Sequence, residues 1–183
     1  MPASRISDTM KADHRELRDN YMKILEAQDD DSKTAWGNMF TWNLARYTVA
    51  EELVVYPALE NHMDHGQVIA DKDRNQNQEI KNLLYDFQSM RGGDSRFRPT
   101  LDAIMDNLNL HIEQEEDEDL PSLEAVIDDS ESEALSNRFE RTKVLMPTRA
   151  HPSAPTQPFF ESAVSLMESP IDKVADIMRR FPE

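Results

Sequence analysis

Cysteine is absent from this chain of 183 residues, and glycine occurs only four times. The absence of cysteine excludes disulfide bonds, thiolate metal ligands and cysteine nucleophiles, and it is typical of intracellular proteins. No stretch approaches the run of about 18 apolar residues that a membrane-spanning helix requires. The polar N-terminus also lacks the apolar segment of a signal peptide. We therefore expect a cytoplasmic protein that does not enter a membrane.

Positive charge is scarce as well, since 20 basic residues stand against 36 acidic ones and give a formal net charge of -16. A field of this sign repels nucleic acid and attracts cations. The sequence therefore predicts no nucleic-acid partner. Most of the carboxylates are expected on a solvated surface, so the informative ones are those that point inward.

Apolar residues recur at spacings of three and four along four segments, a pattern typical of amphipathic helices. The segments cover about residues 7–27, 33–62 and 67–90, and a fourth begins at 99 or 100. The acidic run 29–32 breaks the first segment and offers a cap for the second. Four helices joined by short loops predict an all-α fold, an up-down-up-down four-helix bundle.

The predicted bundle takes up residues 1–127, and residues 128–183 form a C-terminal extension. The extension is expected to contain a short helix over 131–143, a Pro-rich strap over 145–160 and a last helix that begins at Pro170. One face of the last helix is apolar and must pack on the bundle or on another subunit. A homodimer through this helix is therefore one expectation.

A polar motif, [Tyr/His]-x3-Glu-Glu-x4-Pro, occurs on both the second and the fourth helix. Its two copies are Tyr47-x3-Glu51-Glu52-x4-Pro57 and His111-x3-Glu115-Glu116-x4-Pro121. A weaker repeat relates His14 on the first helix to Asn77 on the third. Two halves related in this way predict a pseudo-twofold bundle with these polar residues at its centre.

These polar residues lie on the apolar stripes, where a charge needs a partner. Burying a charge without one costs several kcal/mol, so inward carboxylates require a metal ion, a proton or a cationic side chain. The His-x3-Glu spacing puts imidazole and carboxylate one turn apart on one helix face, as in bundles that bind one metal ion or a bridged pair.

These motifs resemble the hemerythrin-like, or HHE cation-binding, family over about residues 5–125. The strap and last helix resemble the extension found on fungal members. Members hold two irons between the four helices and bind oxygen, sense it, or manage iron and oxidants. The resemblance implies metal ligands at four positions of this chain, the two glutamates being of the bridging type: His14, Glu51, His111 and Glu115.

Two positions depart from the family pattern. Tyr47 stands where the second helix should carry a histidine, and Asn77 stands where the third helix should. Lys72 also occupies a position where related sequences often have histidine. The resemblance thus implies a reduced site, one that holds iron as a mononuclear or dinuclear centre or that has lost its metal.

Two functions follow as hypotheses, and whether the protein is an enzyme stays open between them. In the first, the site binds iron for oxygen- or redox-linked chemistry, with dioxygen or a small molecule in the bundle core. In the alternative, suited to fungal secondary metabolism, a metal-independent enzyme acts on a small organic molecule by acid/base catalysis. There His14 and His111 would exchange protons, Glu51 and Glu115 would orient them, and Tyr47 would donate to the substrate.

Several neighbours of the motif carry weaker expectations. Tyr47 is either a phenolate ligand to ferric iron or a hydrogen-bond donor that fills space. Glu52 and Glu116 are expected to support the ligands or to point outward. Tyr56 and Pro57 are interpreted as packing at the end of a helix.

Overall fold

A computed structural model of the protein describes residues 4–145 and 179–182. Every regular element within these residues is helical, which confirms the predicted all-α class. No helix in this part of the chain has the length and apolar character needed to cross a membrane. The α-helices are α1 (Ile6–Glu26), α2 (Asp30–Ala50), α3 (Tyr56–His62), α4 (Gly66–Phe87), α5 (Phe97–Gln114), α6 (Leu120–Val126) and α7 (Asp129–Leu145).

Four long helices build the bundle. The π-helical turn Glu51–Val55 joins α2 to α3 without a break, and a second π-helical turn, Glu115–Asp119, joins α5 to α6. The bundle helices are therefore α1, α2–α3, α4 and α5–α6. α1 packs on α2, and α4 packs on α3 and α5, so the predicted four-helix bundle is confirmed.

Two helices begin a few residues earlier than predicted, and capping explains the earlier start of α2. The Asp29 carboxylate accepts a hydrogen bond from the Ser32 N–H at 2.7 Å, so α2 begins at Asp30 rather than at residue 33. α5 begins at Phe97 instead of 99 or 100. Pro99 lies in the first turn of α5, where a proline is tolerated because its missing N–H would have no partner there.

Both π-helical turns coincide with the repeated Glu-Glu-x4-Pro motif. In the first, the Tyr56 N–H donates to the Glu51 carbonyl, and in the second the Leu120 N–H donates to the Glu115 carbonyl. The proline that follows has no N–H, and its ring excludes the carbonyl four residues back, so the helix widens by one residue. The motif therefore sets the backbone from which the inward glutamates project.

A fifth helix, α7, lies over α1, α2 and the first π-helical turn. Phe139 of α7 is fully buried, and its ring packs edge-on against Tyr47 with 5.9 Å between centroids. The Arg46 Nε donates to the Lys143 carbonyl at 2.6 Å and fastens the end of α7 to α2. α7 thus shares the bundle core, while the predicted domain boundary at residue 127 stays a prediction.

The Pro-rich strap and most of the last helix lie outside the described residues. Residues 179–182 lie against the bundle, where the Arg180 carbonyl accepts from Asn38 Nδ2 at 2.7 Å and Arg179 donates to the Gln88 carbonyl at 3.2 Å. The end of the chain therefore contacts α2 and the residue that follows α4. The homodimer through the last helix stays a prediction.

Candidate metal centre

The polar residues of the repeat meet at the centre of the bundle. Each comes from an apolar stripe, so the packing that buries the stripe also buries the polar side chain. Six residues from four helices are at most 2 % exposed: His14, Tyr47, Glu51, Asn77, His111 and Glu115.

Three of the four predicted ligands, Glu51, His111 and Glu115, form one group. Each offers a ligand atom, and these atoms lie within 4.8 Å of one another. His111 Nε2 is 3.1 Å from Glu51 Oε1 and 3.5 Å from Glu115 Oε2. Ligand atoms about 2.1 Å from one ion are at most ~4.2 Å apart, so a small movement of one carboxylate lets all three bind the same ion.

The fourth predicted ligand, His14, is connected to this group through Tyr47. His14 Nε2 lies 2.6 Å from the Tyr47 hydroxyl, which donates to Glu115 Oε2 at 2.9 Å. His14 Nδ1 lies 2.6 Å from Glu116 Oε1. Both ring nitrogens of His14 are therefore engaged, and Nε2 is 3.4 Å from Glu115 Oε2.

Tyr47 acts as a hydrogen-bond donor in this structure. Burial raises the pKa of its hydroxyl well above the ordinary value, and the charges of Glu115 and Glu51 raise it further. The phenol therefore keeps its proton and donates a hydrogen bond to Glu115. This geometry corresponds to one of the two roles expected for Tyr47, the space-filling donor, while its role as a phenolate ligand stays a prediction.

The α4 helix contributes two residues one turn apart, Asp73 and Asn77. Asn77 Nδ2 donates to Glu51 Oε2 at 2.9 Å and to the Tyr56 hydroxyl oxygen. Asn77 Oδ1 and both carboxylate oxygens of Asp73 are buried and have no hydrogen-bond partner among the described residues. An unsatisfied buried polar group costs about 1–3 kcal/mol, and oxygens of this kind favour a cation as their partner.

The carboxyl groups of the centre hold protons more tightly than exposed ones. Burial raises the pKa of Glu51 to about 8 and, together with the charge of Glu51, that of Glu115 to about 6. Burial also raises the pKa of Asp73 to about 7, although the charge of His111 opposes this shift. A divalent ion that binds here displaces protons, so metal binding and proton release are coupled.

Glu52 is buried, and its charge is balanced by a lysine. Lys81 Nζ lies 2.7 Å from Glu52 Oε1, and the two side chains are 5 % and 1 % exposed. Lys72, which the sequence placed near the site, is exposed, so the lysine of the core is Lys81. Glu116 is 29 % exposed at its side chain and supports His14 as expected.

Sequence reasoning missed four residues of the centre: Tyr56, Asp73, Gln76 and Lys81. The interpretation of Tyr56 as helix-end packing is wrong, because the π-helical turn carries the helix on through Tyr56, whose buried hydroxyl contacts Asn77. Gln76 Oε1 lies 2.9 Å from His111 Nδ1 and fixes the imidazole ring. The one available signal was position, since Asp73, Asn77 and Lys81 share a stripe of α4.

Comparisons with known proteins show which family the chain belongs to. The sequence profile of the Hemerythrin HHE cation binding domain matches residues 5–123, a range that contains every residue of the centre. The chain is 46% identical to an uncharacterized hemerythrin-like protein of Schizosaccharomyces pombe over 180 residues, which cover 98% of this chain and 89% of that protein. No solved structure matches the chain. The chain belongs to the hemerythrin HHE cation-binding domain family.

Proposed function

We propose that this protein binds a metal ion, iron, in the core of its bundle and uses it for oxygen- or redox-linked chemistry. One observation carries the proposal: Glu51, His111 and Glu115 bring three ligand atoms within 4.8 Å of one another in a buried place. One imidazole with two carboxylates is a donor set that ferritin-like bundles also use for iron.

The hydrogen bond to Gln76 supports a cation at this place. Because Gln76 Oε1 only accepts, the proton of a neutral His111 lies on Nδ1, and Nε2 turns its lone pair toward the two glutamates. A lone pair facing carboxylates is repelled unless a proton or a metal ion lies between them. A dication also neutralises both glutamates at once.

A bound iron ion would supply redox chemistry with dioxygen. The protein contributes the arrangement of the ligands and their isolation from water. Gln76 holds the His111 ring, Asn77 donates to Glu51 Oε2, and Tyr47 donates to Glu115 Oε2. These contacts fix the direction of each ligand before an ion arrives.

The acid/base alternative uses the same residues and is supported by the raised pKa of Glu51 beside His111. In that case His14 and His111 exchange protons with a small organic substrate. A cavity of 210 Å³ between α1, α2 and α7 is lined by Tyr47, whereas His111 and the two glutamates are not among its lining residues. A substrate in this cavity meets Tyr47 first, so the metal hypothesis fits the described residues better.

Metal analysis of the full chain, purified without a metal-affinity column, tests the proposal. We expect bound iron in the wild type and its loss in the Glu51→Gln/Glu115→Gln variant. Glu113→Gln serves as the matched control, because Glu113 lies on α5 and is exposed. A folded wild type that takes up no iron under anaerobic conditions contradicts the proposal. Chelator-resistant activity that disappears with His111→Gln then favours the acid/base alternative.

A further inference from the structure

The two sides of the metal centre are satisfied to different degrees. We call His14, Tyr47 and Glu116 the α1 side, and Asp73 and Asn77 the α4 side. On the α1 side each of these side chains has a hydrogen-bond partner within the protein. On the α4 side three buried oxygens have none among the described residues.

On the α1 side, Tyr47 occupies the position that an ion would need. An imidazole nitrogen binds a metal along one in-plane direction, at about 2.1 Å. The Tyr47 hydroxyl stands 2.6 Å from His14 Nε2 and uses this direction for a hydrogen bond. Phe139 packs on the Tyr47 ring from α7, so the ring is held in place from outside the bundle.

On the α4 side, the unpartnered oxygens belong to two residues that neighbour the ligand group. The amide of Asn77 already contacts Glu51 through Nδ2, which brings Oδ1 close to the same carboxylate. Asp73 interacts electrostatically with His111 and Glu115. Both residues are at most 1 % exposed, so water does not reach them from the surface.

We propose that the centre takes one ion rather than the two that family members hold, and that this ion lies on the α4 side. Asp73 and Asn77 then complete the group of ligands formed by Glu51, His111 and Glu115. The α1 side binds no ion, because the hydrogen bonds of His14 and Tyr47 occupy the atoms that would bind one. This inference rests on the proposed metal-binding function.

The completed donor set has a definite chemical character. It offers one imidazole nitrogen and otherwise oxygen, from three carboxylates and one amide. Oxygen-rich sites suit Mn²⁺ and iron better than the copper and zinc that softer ligands select. Mn²⁺ is therefore a suitable probe, because its electron paramagnetic resonance spectrum distinguishes an isolated ion from a coupled pair.

The first experiment titrates the metal-free full chain with Mn²⁺. The proposal expects saturation at one ion per chain and the hyperfine pattern of an isolated ion. Saturation at two ions with the spectrum of a coupled pair overturns it, while the proposed metal-binding function survives. Failure to bind either Mn²⁺ or Fe²⁺ overturns both, so the two failures are distinguishable.

The second experiment compares the two sides by substitution. Asp73→Asn is expected to weaken Mn²⁺ binding by about tenfold or more, whereas Asp86→Asn, an exposed control on α4, leaves the affinity unchanged. Tyr47→His adds an imidazole beside His14 and is expected to raise the capacity to two ions. Equal affinities for Asp73→Asn and the control overturn the proposal, as does a folded Tyr47→His variant that still takes one ion. Far-UV circular dichroism shows whether each variant folds. If a variant does not fold, the stoichiometry and the electron paramagnetic resonance spectrum of the Mn²⁺-loaded wild type decide between one ion and two.

Discussion

The two copies of the Glu-Glu-x4-Pro motif have the same backbone and different surroundings. In both, a π-helical turn starts at the first glutamate, and this glutamate faces the other copy across the core. The second glutamates differ, because Glu52 is buried against Lys81 whereas Glu116 is partly exposed and holds His14. The motif therefore sets the backbone and the first carboxylate, and the helix opposite sets the role of the second.

The largest effect is expected from breaking the buried pair of the first copy. Lys81→Met leaves Glu52 charged and alone in the core, which costs about 3–5 kcal/mol of the free energy of unfolding. Urea denaturation measures this loss. The Lys81→Met/Glu52→Gln variant removes both charges and is expected to recover most of it. A single Lys81→Met change of less than about 1 kcal/mol speaks against a buried charged pair.

The first glutamates of the two copies, Glu51 and Glu115, differ in their pKa values. Because the pKa of Glu51 is about 8 in the fold against an ordinary 4.5, the folded metal-free protein holds a proton that the unfolded chain releases between these values. The free energy of unfolding then falls as pH rises from about 4.5 to 8, by at most about 1.4 kcal/mol per pH unit for this proton. For Glu115, with a pKa of about 6, the corresponding fall in the free energy of unfolding ends near pH 6.

Denaturant titrations of the metal-free protein across this pH range measure the slope. Glu51→Gln is expected to remove the slope between about pH 7 and 8 and to reduce it at lower pH, where Asp73, with a pKa of about 7, still contributes. Glu115→Gln is expected to reduce the slope only below about pH 6. A stability that rises between pH 6 and 8 is incompatible with the raised pKa of Glu51.

The prolines test whether the π-helical turns matter equally in the two copies. Pro57→Ala and Pro121→Ala restore a backbone N–H and allow the turn to tighten into an α-helix, which rotates Glu51 or Glu115 away from the ion. We expect each variant to weaken metal binding by about tenfold, or ~1.4 kcal/mol. Calorimetric titration with Mn²⁺ gives the affinity. Pro99→Ala is the matched control, since Pro99 lies in the first turn of α5, and an equal loss there removes the special role of the motif.

The smallest effect belongs to the second glutamate of the second copy. Glu116→Gln keeps an oxygen for His14 Nδ1 and lies partly in solvent, so the free energy of unfolding is expected to fall by less than about 1 kcal/mol. The same urea measurement applies. A loss as large as that of Lys81→Met contradicts the contrast drawn between the two copies.

Much of the fold and part of the centre were accessible from the sequence because they depend on local spacing. The stripes of α1, α4 and α5, the Asp29 cap and the repeated motif are properties of short segments, and they place Glu51, His111 and Glu115 inside. The sequence also placed Asn77 of α4 at the centre, but it assigned no role there to Asp73 or Lys81. The pairing of Lys81 with Glu52 and the electrostatic interaction of Asp73 with His111 depend on how α4 packs against α2–α3 and α5–α6.

Tyr56 shows a second limit, set by backbone geometry. The sequence predicted that the second helix runs to residue 62, but it did not predict the π-helical turn that precedes Tyr56 or the contact of its hydroxyl with Asn77. Glu52 shows a limit set by packing instead. Two consecutive glutamates on one helix ordinarily point to different surroundings, and the ion pair with Lys81 explains why Glu52 is buried as well as Glu51.

The most direct test of the metal centre is the metal content of the full chain together with its dependence on the two first glutamates. Mass spectrometry of protein purified without a metal-affinity column is expected to find about one ion per chain in the wild type, and none after Glu51→Gln/Glu115→Gln. Folded wild-type protein that carries no metal and binds neither Fe²⁺ nor Mn²⁺ would contradict the proposal that Glu51, His111 and Glu115 hold a metal ion.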